Sequence, residues 1–492
     1  MPRLARISLR DKLPAALLIA ALGGCSGGTR SGSTPPTTPA ALSLQAQAGE
    51  ALFCDVTLSA SGRQACSTCH VRERAFTADP AADQGLPVPL GGRNMDLPGF
   101  RNAPSLAYAS FTPGFSIDSD HTASGGFFRD GRASSLAEQA QAPFIAVFEM
   151  ANQDAAEVVQ RLRQSPATLQ KFIAAFGSTA LDHADEALAD IGAAIAAYET
   201  EDADFHAFSS KFDAWQTGTA QLTAQELQGL ALFNNPGKGN CAACHPSQRQ
   251  EFSDHALFTD FTYDNIGIPR NWKIPFNLPN PVSPVSGVAL NYLPAPMSLP
   301  VAAEYGFYDL GLCGPFQPAA TDPAPRVVFQ ATTTLCGLFK VPTLRNAALT
   351  APYFHNGVFA TLREAIEWYV TRDLNNNTAN NPTPLPAGAD GNPYAAVGSF
   401  YIAADGTPDA YEYNDLPAQY DANVNAGETP YTPPVQFGGQ SPTLSSAEID
   451  AVVAFLCTLT DGYDPAHPQS YNLPAQCLAA AAAADSVKES SP

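Results

Sequence analysis

The chain has 492 residues, too many for one ordinary domain, so two domains plus ordered extensions are expected. Hydrophobic residues make up 45% of it, enough for real cores, and past the N-terminus no apolar run reaches the roughly 18 residues of a membrane-spanning helix. With 47 acidic against 26 basic side chains the formal charge is −21, a field that repels nucleic acid and anionic surfaces, so no nucleic-acid partner is expected.

Residues 1–25 read as an export signal. Arg3, Arg6, Arg10 and Lys12 form a basic start, Leu13 to Leu22 an apolar stretch, and Gly23-Gly24-Cys25 a small-residue cleavage site. Leu22-Gly23-Gly24-Cys25 resembles the lipobox of bacterial lipoproteins, in which the cysteine is lipidated; ordinary soluble secretion is the alternative. A linker rich in Gly, Ser, Pro and Thr, residues 26–44, has the reach a tethered domain needs. Ser26 stands where an acidic residue would hold a lipoprotein in the inner membrane. The expected location is the periplasm, on the outer membrane through a lipid at Cys25.

A coarse duplication organises the remainder of the chain. Ala51-Leu52-Phe53, a loop and Cys66-Ser67-Thr68-Cys69-His70 recur as Ala231-Leu232-Phe233, a loop and Cys241-Ala242-Ala243-Cys244-His245. Thr223-Ala224-Gln225-Glu226 is a capping box that opens the second copy's helix. Between the copies, Ala155 to Phe176 and Ala187 to Tyr198 have helical period, with Val158, Leu162, Ile191, Ile195 and Tyr198 on one face. Thr361 to Val370 and Ser445 to Leu459 are helices with capping boxes of their own. Residues 270–335 and 371–440 read as long irregular segments.

Cys-x-x-Cys-His is the attachment motif of c-type haem: two thiols bond the porphyrin edge, and the histidine reaches beneath the ring to iron. One copy would also fit a zinc half-site or a redox thiol pair. Two copies in an exported chain point to two covalent haem c groups. Cys66, Cys69 and His70 would hold the first, and Cys241, Cys244 and His245 the second. The expected fold class is mainly α: two cytochrome-c-like haem domains with long irregular loops. Residues 45–215 form the first, 216–465 the second with its insertions, and 466–492 a tail. Of the remaining cysteines, Cys313 and Cys336, and Cys457 and Cys477, are near enough in sequence to bridge, leaving Cys54 odd.

What lies across each iron decides between electron carrier and catalyst. Gly99-Phe100-Arg101-Asn102-Ala103-Pro104, Asp130-Gly131-Arg132 through Glu149-Met150, and Val341-Pro342-Thr343-Leu344-Arg345-Asn346 through His355-Asn356-Gly357 resemble the bacterial di-haem cytochrome c peroxidase/MauG family, a likeness that spans about residues 45–460. The resemblance implies that the N-terminal haem meets hydrogen peroxide, with Gln139 orienting it and Glu149, ten residues on, as acid–base group. O–O cleavage needs a proton moved from the near oxygen to the far one, a task for a carboxylate over iron. Many members also carry a histidine that caps the first iron; its position here is Leu86, leaving an open iron, with Met95 the nearest stand-in ligand. Opposite the second haem, where peroxidases have methionine, the matching residue is Tyr369, a hard oxygen donor that favours oxidised iron. A buried core tyrosine is the alternative.

The pattern also breaks. Arg129 replaces the family's inter-haem tryptophan; Phe127 and Phe128 are near in sequence but poorer redox relays, and Trp368, beside Tyr369, is a candidate substitute, with a packed core tryptophan the alternative. Asn102, Thr350 and Pro352 match family calcium ligands, so one Ca2+ is a further expected cofactor. The leading expectation is a di-haem peroxidase in which the Tyr369-ligated haem shares the oxidising equivalents, for MauG-like oxidation of a partner protein or organic substrate. The alternatives are peroxide reduction with electrons from a small cytochrome or cupredoxin, and a non-catalytic di-haem electron carrier.

Overall fold

The computed structural model describes residues 41–250, 253–278, 281–290, 308–314, 333–372, 400–402, 408–410, 415–416, 418–431, 442–478 and 480. The export signal with Cys25, the linker to residue 40 and most of the 371–440 insertion lie outside them. Helices dominate the described residues. In chain order they are α1 Leu44–Cys54, α2 Cys66–Cys69, α3 Leu136–Ile145, α4 Ala155–Arg163, α5 Pro166–Phe176, α6 Ala184–Glu201, α7 Lys211–Gln216, α8 Ala224–Asn234, α9 Leu362–Thr371 and α10 Ser446–Cys457. Short antiparallel pairs join β1 Leu90–Gly91 to β2 Leu97–Pro98, β3 Ser116–Ile117 to β4 Ala123–Ser124, β5 Tyr263–Asp264 to β6 Phe339–Lys340, and β7 Phe400–Ile402 to β8 Pro408–Ala410. No helix among the described residues is long and apolar enough to cross a membrane.

Helix starts follow side-chain chemistry. Thr223, Thr361 and Ser445 cap α8, α9 and α10, and Glu226, Glu364 and Glu448 close the boxes by accepting the capping residues' N–H groups. The single periodic stretch from Ala155 to Phe176 is two helices. It breaks at Gln164 and Ser165, because Pro166 lacks an N–H and its ring cannot follow a helical turn. The helix expected over Ala187 to Tyr198 is longer at both ends, as α6.

Two cores result. One gathers Leu52, Phe53, Val158, Leu162, Phe172, Ile191, Ile195 and Tyr198; the other gathers Phe233, Ile366, Ile449, Val452, Phe455 and Leu456. The duplication reappears as a shared helix crossing. A Cβ on Gly49 of α1 would lie 1.9 Å from the Ala194 carbonyl oxygen of α6 and 2.8 Å from Tyr198 Cβ. A Cβ on Gly229 of α8 would lie 1.9 Å from the Ala451 carbonyl oxygen of α10 and 2.8 Å from Phe455 Cβ. At each crossing two backbones touch, and only glycine permits it.

Cys313–Cys336 and Cys457–Cys477 are bridged, as their spacing suggested. Cys54, expected to be odd, is itself disulfide-bonded. Because both glycines face backbone rather than flexible side chains, Gly49→Ala or Gly229→Ala should each cost about 1–3 kcal/mol of stability. Denaturant titration of the holoprotein checks this, and an unchanged midpoint would show that the crossings can open at no cost.

Candidate active site

Both Cys-x-x-Cys-His segments fold alike. The His70 N–H donates to the Cys66 carbonyl at 2.9 Å, and the His245 N–H to the Cys241 carbonyl at 2.8 Å, so each histidine is the end of one tight turn. The imidazoles are then fixed from behind. His70 Nδ1 lies 2.8 Å from the Phe76 carbonyl oxygen, and His245 Nδ1 lies 2.8 Å from that of Phe258. Phe76 and Phe258 both have left-handed backbones, with φ of 58° and 54°, which aim their carbonyls back at the ring. A carbonyl only accepts, so Nδ1 carries the proton and Nε2 keeps its lone pair. Burial holds both imidazoles below their usual range, hence neutral, as a metal ligand must be.

Cys66, Cys69, Cys241 and Cys244 are unbridged. Burial pushes Cys69, Cys241 and Cys244 up to about 12 and Cys66 higher still, so they are thiols rather than thiolates. A cavity of about 340 Å3 opens beside the second motif, with Cys241, Cys244 and His245 on its wall together with Tyr369 and Ile366 of α9. That donor set, a neutral imidazole, two thiols and a phenol on one cavity wall, fits an edge-tethered haem.

The two motifs differ in what surrounds them. Near the first, Glu149 follows α3 in a turn whose N–H donates to the Ala146 carbonyl. Burial raises its carboxyl above the usual range while Arg132 pulls it back, and its charge is felt at Cys66 and Cys69. Gln139 on α3 lines the cavity beside the second motif, which neither His70 nor Glu149 reaches. Leu86 packs into an apolar cluster with Val88, Phe100, Ile274, Phe276 and Leu290, and supplies no ligand atom. Met95 sits in the β1–β2 turn.

Near the second motif, Tyr369 stacks on Tyr431 at 5.6 Å between ring centres, and the Arg372 guanidinium covers Tyr431 at 3.7 Å. Burial raises the Tyr369 phenol far above its usual range, so a cation must displace its proton before it binds as phenolate. Trp368 is 1% exposed and packs with Ile268, Phe359 and Ala365; it does not line the cavity. Arg129 does, together with Phe127 and Phe128. Asn102, Thr350 and Pro352 converge on the same cavity, where Asn102 Nδ2 donates to the Pro352 carbonyl at 2.6 Å.

Several residues went unnoticed in the sequence. Tyr431, Lys340 and Glu199 carry no motif, and only the folded chain brings them to the cavity or the thiols. Glu199 is 3% exposed, its Oε2 has no hydrogen-bond partner, and its charge acts on Cys66.

A family model described as di-haem cytochrome c peroxidase matches residues 43–221. Methylamine utilization protein MauG of Paracoccus denitrificans is 33% identical over 453 residues, 92% of this chain and 95% of its own. Cytochrome c551 peroxidase of Nitrosomonas europaea is 28% identical over 325 residues, 65% of this chain and 71% of its own. The solved diheme peroxidase BthA of Burkholderia thailandensis superposes with a TM-score of 0.65 at 32% identity, covering 85% of this chain and 86% of its own.

Glu199 yields a pH prediction. Burial raises its carboxyl to about 8. Between the ordinary glutamate range and pH 8 the unfolded chain therefore binds fewer protons than the folded one, and stability falls as pH rises. Glu199→Gln should flatten that slope, as measured by thermal unfolding across pH 5 to 8. An unaltered slope would place the linkage elsewhere.

Proposed function

Because this chain belongs to the di-haem cytochrome c peroxidase/MauG family and is a di-haem peroxidase with two haem c groups, we propose that its two sites divide the work. The N-terminal site meets hydrogen peroxide, and the C-terminal one shares the oxidising equivalents. The asymmetry described above carries this reading: a half-buried carboxyl whose charge reaches the Cys66 and Cys69 thiols, and a phenol on the wall of the cavity that holds His245. In this reading Cys66 and Cys69, and Cys241 and Cys244, tether the porphyrins, and His70 and His245 bind iron through Nε2.

Haem iron supplies the redox centre that accepts two oxidising equivalents from peroxide. The chain's residues supply the rest. Glu149 takes the proton from the peroxide oxygen nearer the iron and returns it to the farther one as water leaves. Burial raises that carboxyl above its usual range, which strengthens it as a proton acceptor. Gln139 orients the peroxide without adding charge. Leu86, locked among apolar side chains, leaves the peroxide side open. Tyr369 gives its phenol oxygen to the second iron and holds that site in an oxidised state.

MauG-like withdrawal of electrons from a partner protein or organic substrate follows from the Tyr369 assignment, because a thioether would favour the reduced iron that an electron-accepting peroxidase needs. Net charge of −21 favours a basic or neutral partner. Asn102, Thr350 and Pro352 are the proposed calcium ligands, and Arg129 beside them weakens that site by repulsion. The disulfides fit a periplasmic location.

Glu149→Gln should slow the reaction with peroxide roughly 10²- to 10⁴-fold with both haems retained. Stopped-flow mixing measures it, and an undiminished rate removes Glu149 from the mechanism. Tyr369→Met should raise the potential of the second haem, read by spectroelectrochemistry; a potential that stays put means that Tyr369 is not the ligand. In the wild-type ferric protein, EPR should show one high-spin and one low-spin haem, and one equivalent of peroxide should perturb both. Two inert low-spin haems would leave only an electron carrier.

A further inference from the structure

At the junction of the two halves, two half-buried cations line the cavity with no carboxylate hydrogen-bonded to either among the described residues. Arg129 lines the cavity; its Nε donates to the Asn102 carbonyl at 2.9 Å, and its terminal amino groups have no partner among the described residues. Lys340, on β6, is its neighbour, donating its backbone N–H to the Arg129 carbonyl at 2.9 Å. The Lys340 ammonium reaches the Gly126 carbonyl at 2.5 Å, lies 5.7 Å from the Phe127 ring centre and lines the same cavity.

The nearby carboxylates are already engaged. Asp309 takes two hydrogen bonds from Arg101, at 2.5 and 2.6 Å. Asp130 takes one from Arg101 at 2.8 Å and two from Arg132 at 2.9 Å. Glu149 acts on Arg132, not on these two cations. Buried charges persist where a partner completes them. A haem brings two carboxylates of its own, the propionates, on the porphyrin edge away from its thioether bonds.

We propose that Arg129 and Lys340, one from each half of the chain, clamp haem propionates in the junction cavity. The guanidinium offers a fork that matches a carboxylate, and the ammonium a point charge beside it. The clamp rests on the two-haem reading, and haem stoichiometry keeps the two apart.

The test uses the holoprotein and the variants Arg129→Gln, Lys340→Gln, Arg129→Lys and Lys340→Arg. Haem content comes first: fewer than two haems in the wild type sinks the two-haem reading. Reduction potentials come next. A unit charge about 10 Å from iron, at an effective dielectric near 20, is worth on the order of tenfold in the oxidised-to-reduced ratio. Each glutamine variant should shift one haem by that much towards the oxidised form, and the charge-keeping variants should not. Two haems with unmoved potentials in both glutamine variants overturns the clamp. If those variants fail to load haem, the wild type decides by resonance Raman. Its propionate bending band should shift on hydrogen–deuterium exchange, and an indifferent band overturns the proposal. Wild-type potentials that follow added phosphate would mark a free-anion site instead and also overturn it.

Discussion

Everything else in this molecule depends on the hydrogen bond behind each motif histidine. A Cys-x-x-Cys-His turn brings an imidazole to the right neighbourhood but does not decide how it faces. The carbonyls of Phe76 and Phe258 do, and they can because both residues accept a left-handed backbone that a bulky side chain ordinarily avoids. The strain is small beside what it secures: a fixed tautomer, a fixed ring plane and a neutral donor at Nε2. With both histidines held identically, all functional difference between the halves must come from the opposite side of each site.

That opposite side is built by different means in each half. In the first, a helix ending in a tight turn brings Glu149 close enough to Cys66 and Cys69 for its charge to register there, while Leu86 packs among apolar side chains and offers no ligand atom. In the second, α9 carries Tyr369, and Tyr431, distant in sequence, pins the ring by stacking. Arg372 covers Tyr431 in turn, so the phenol's orientation is set by a stack of three side chains rather than by rotamer preference alone. The two halves thus share a frame and differ in a handful of side chains.

Much of this frame was legible in the sequence because its signals are local. The motif spacing, the capping boxes at Thr223, Thr361 and Ser445, and the inward face of Tyr369 each depend on residues within a turn or two. What was not legible depends on distant partners. Periodicity alone could not see that Pro166 splits one apparent helix, since the apolar face continues across the break. Cys54 read as odd because its bridge, unlike the other two, is not one that proximity in sequence shows. Lys340 gave no signal at all: it reaches Arg129 only because β6 pairs with β5 in a register that sets Tyr263 opposite Lys340. Gly49 and Gly229 were lost among 36 glycines, since nothing in composition distinguishes the two that face another backbone.

Those two crossings bear on how such a scaffold can diversify. Where main chain meets main chain, helix spacing is set by atoms that every sequence shares, and side-chain exchange elsewhere on the helices leaves it untouched. A cavity-lining residue on α9 such as Tyr369 can then be exchanged without displacing the frame that presents the histidine. The pinched glycines act as mechanical datum points, and chemical novelty is free to accumulate around them.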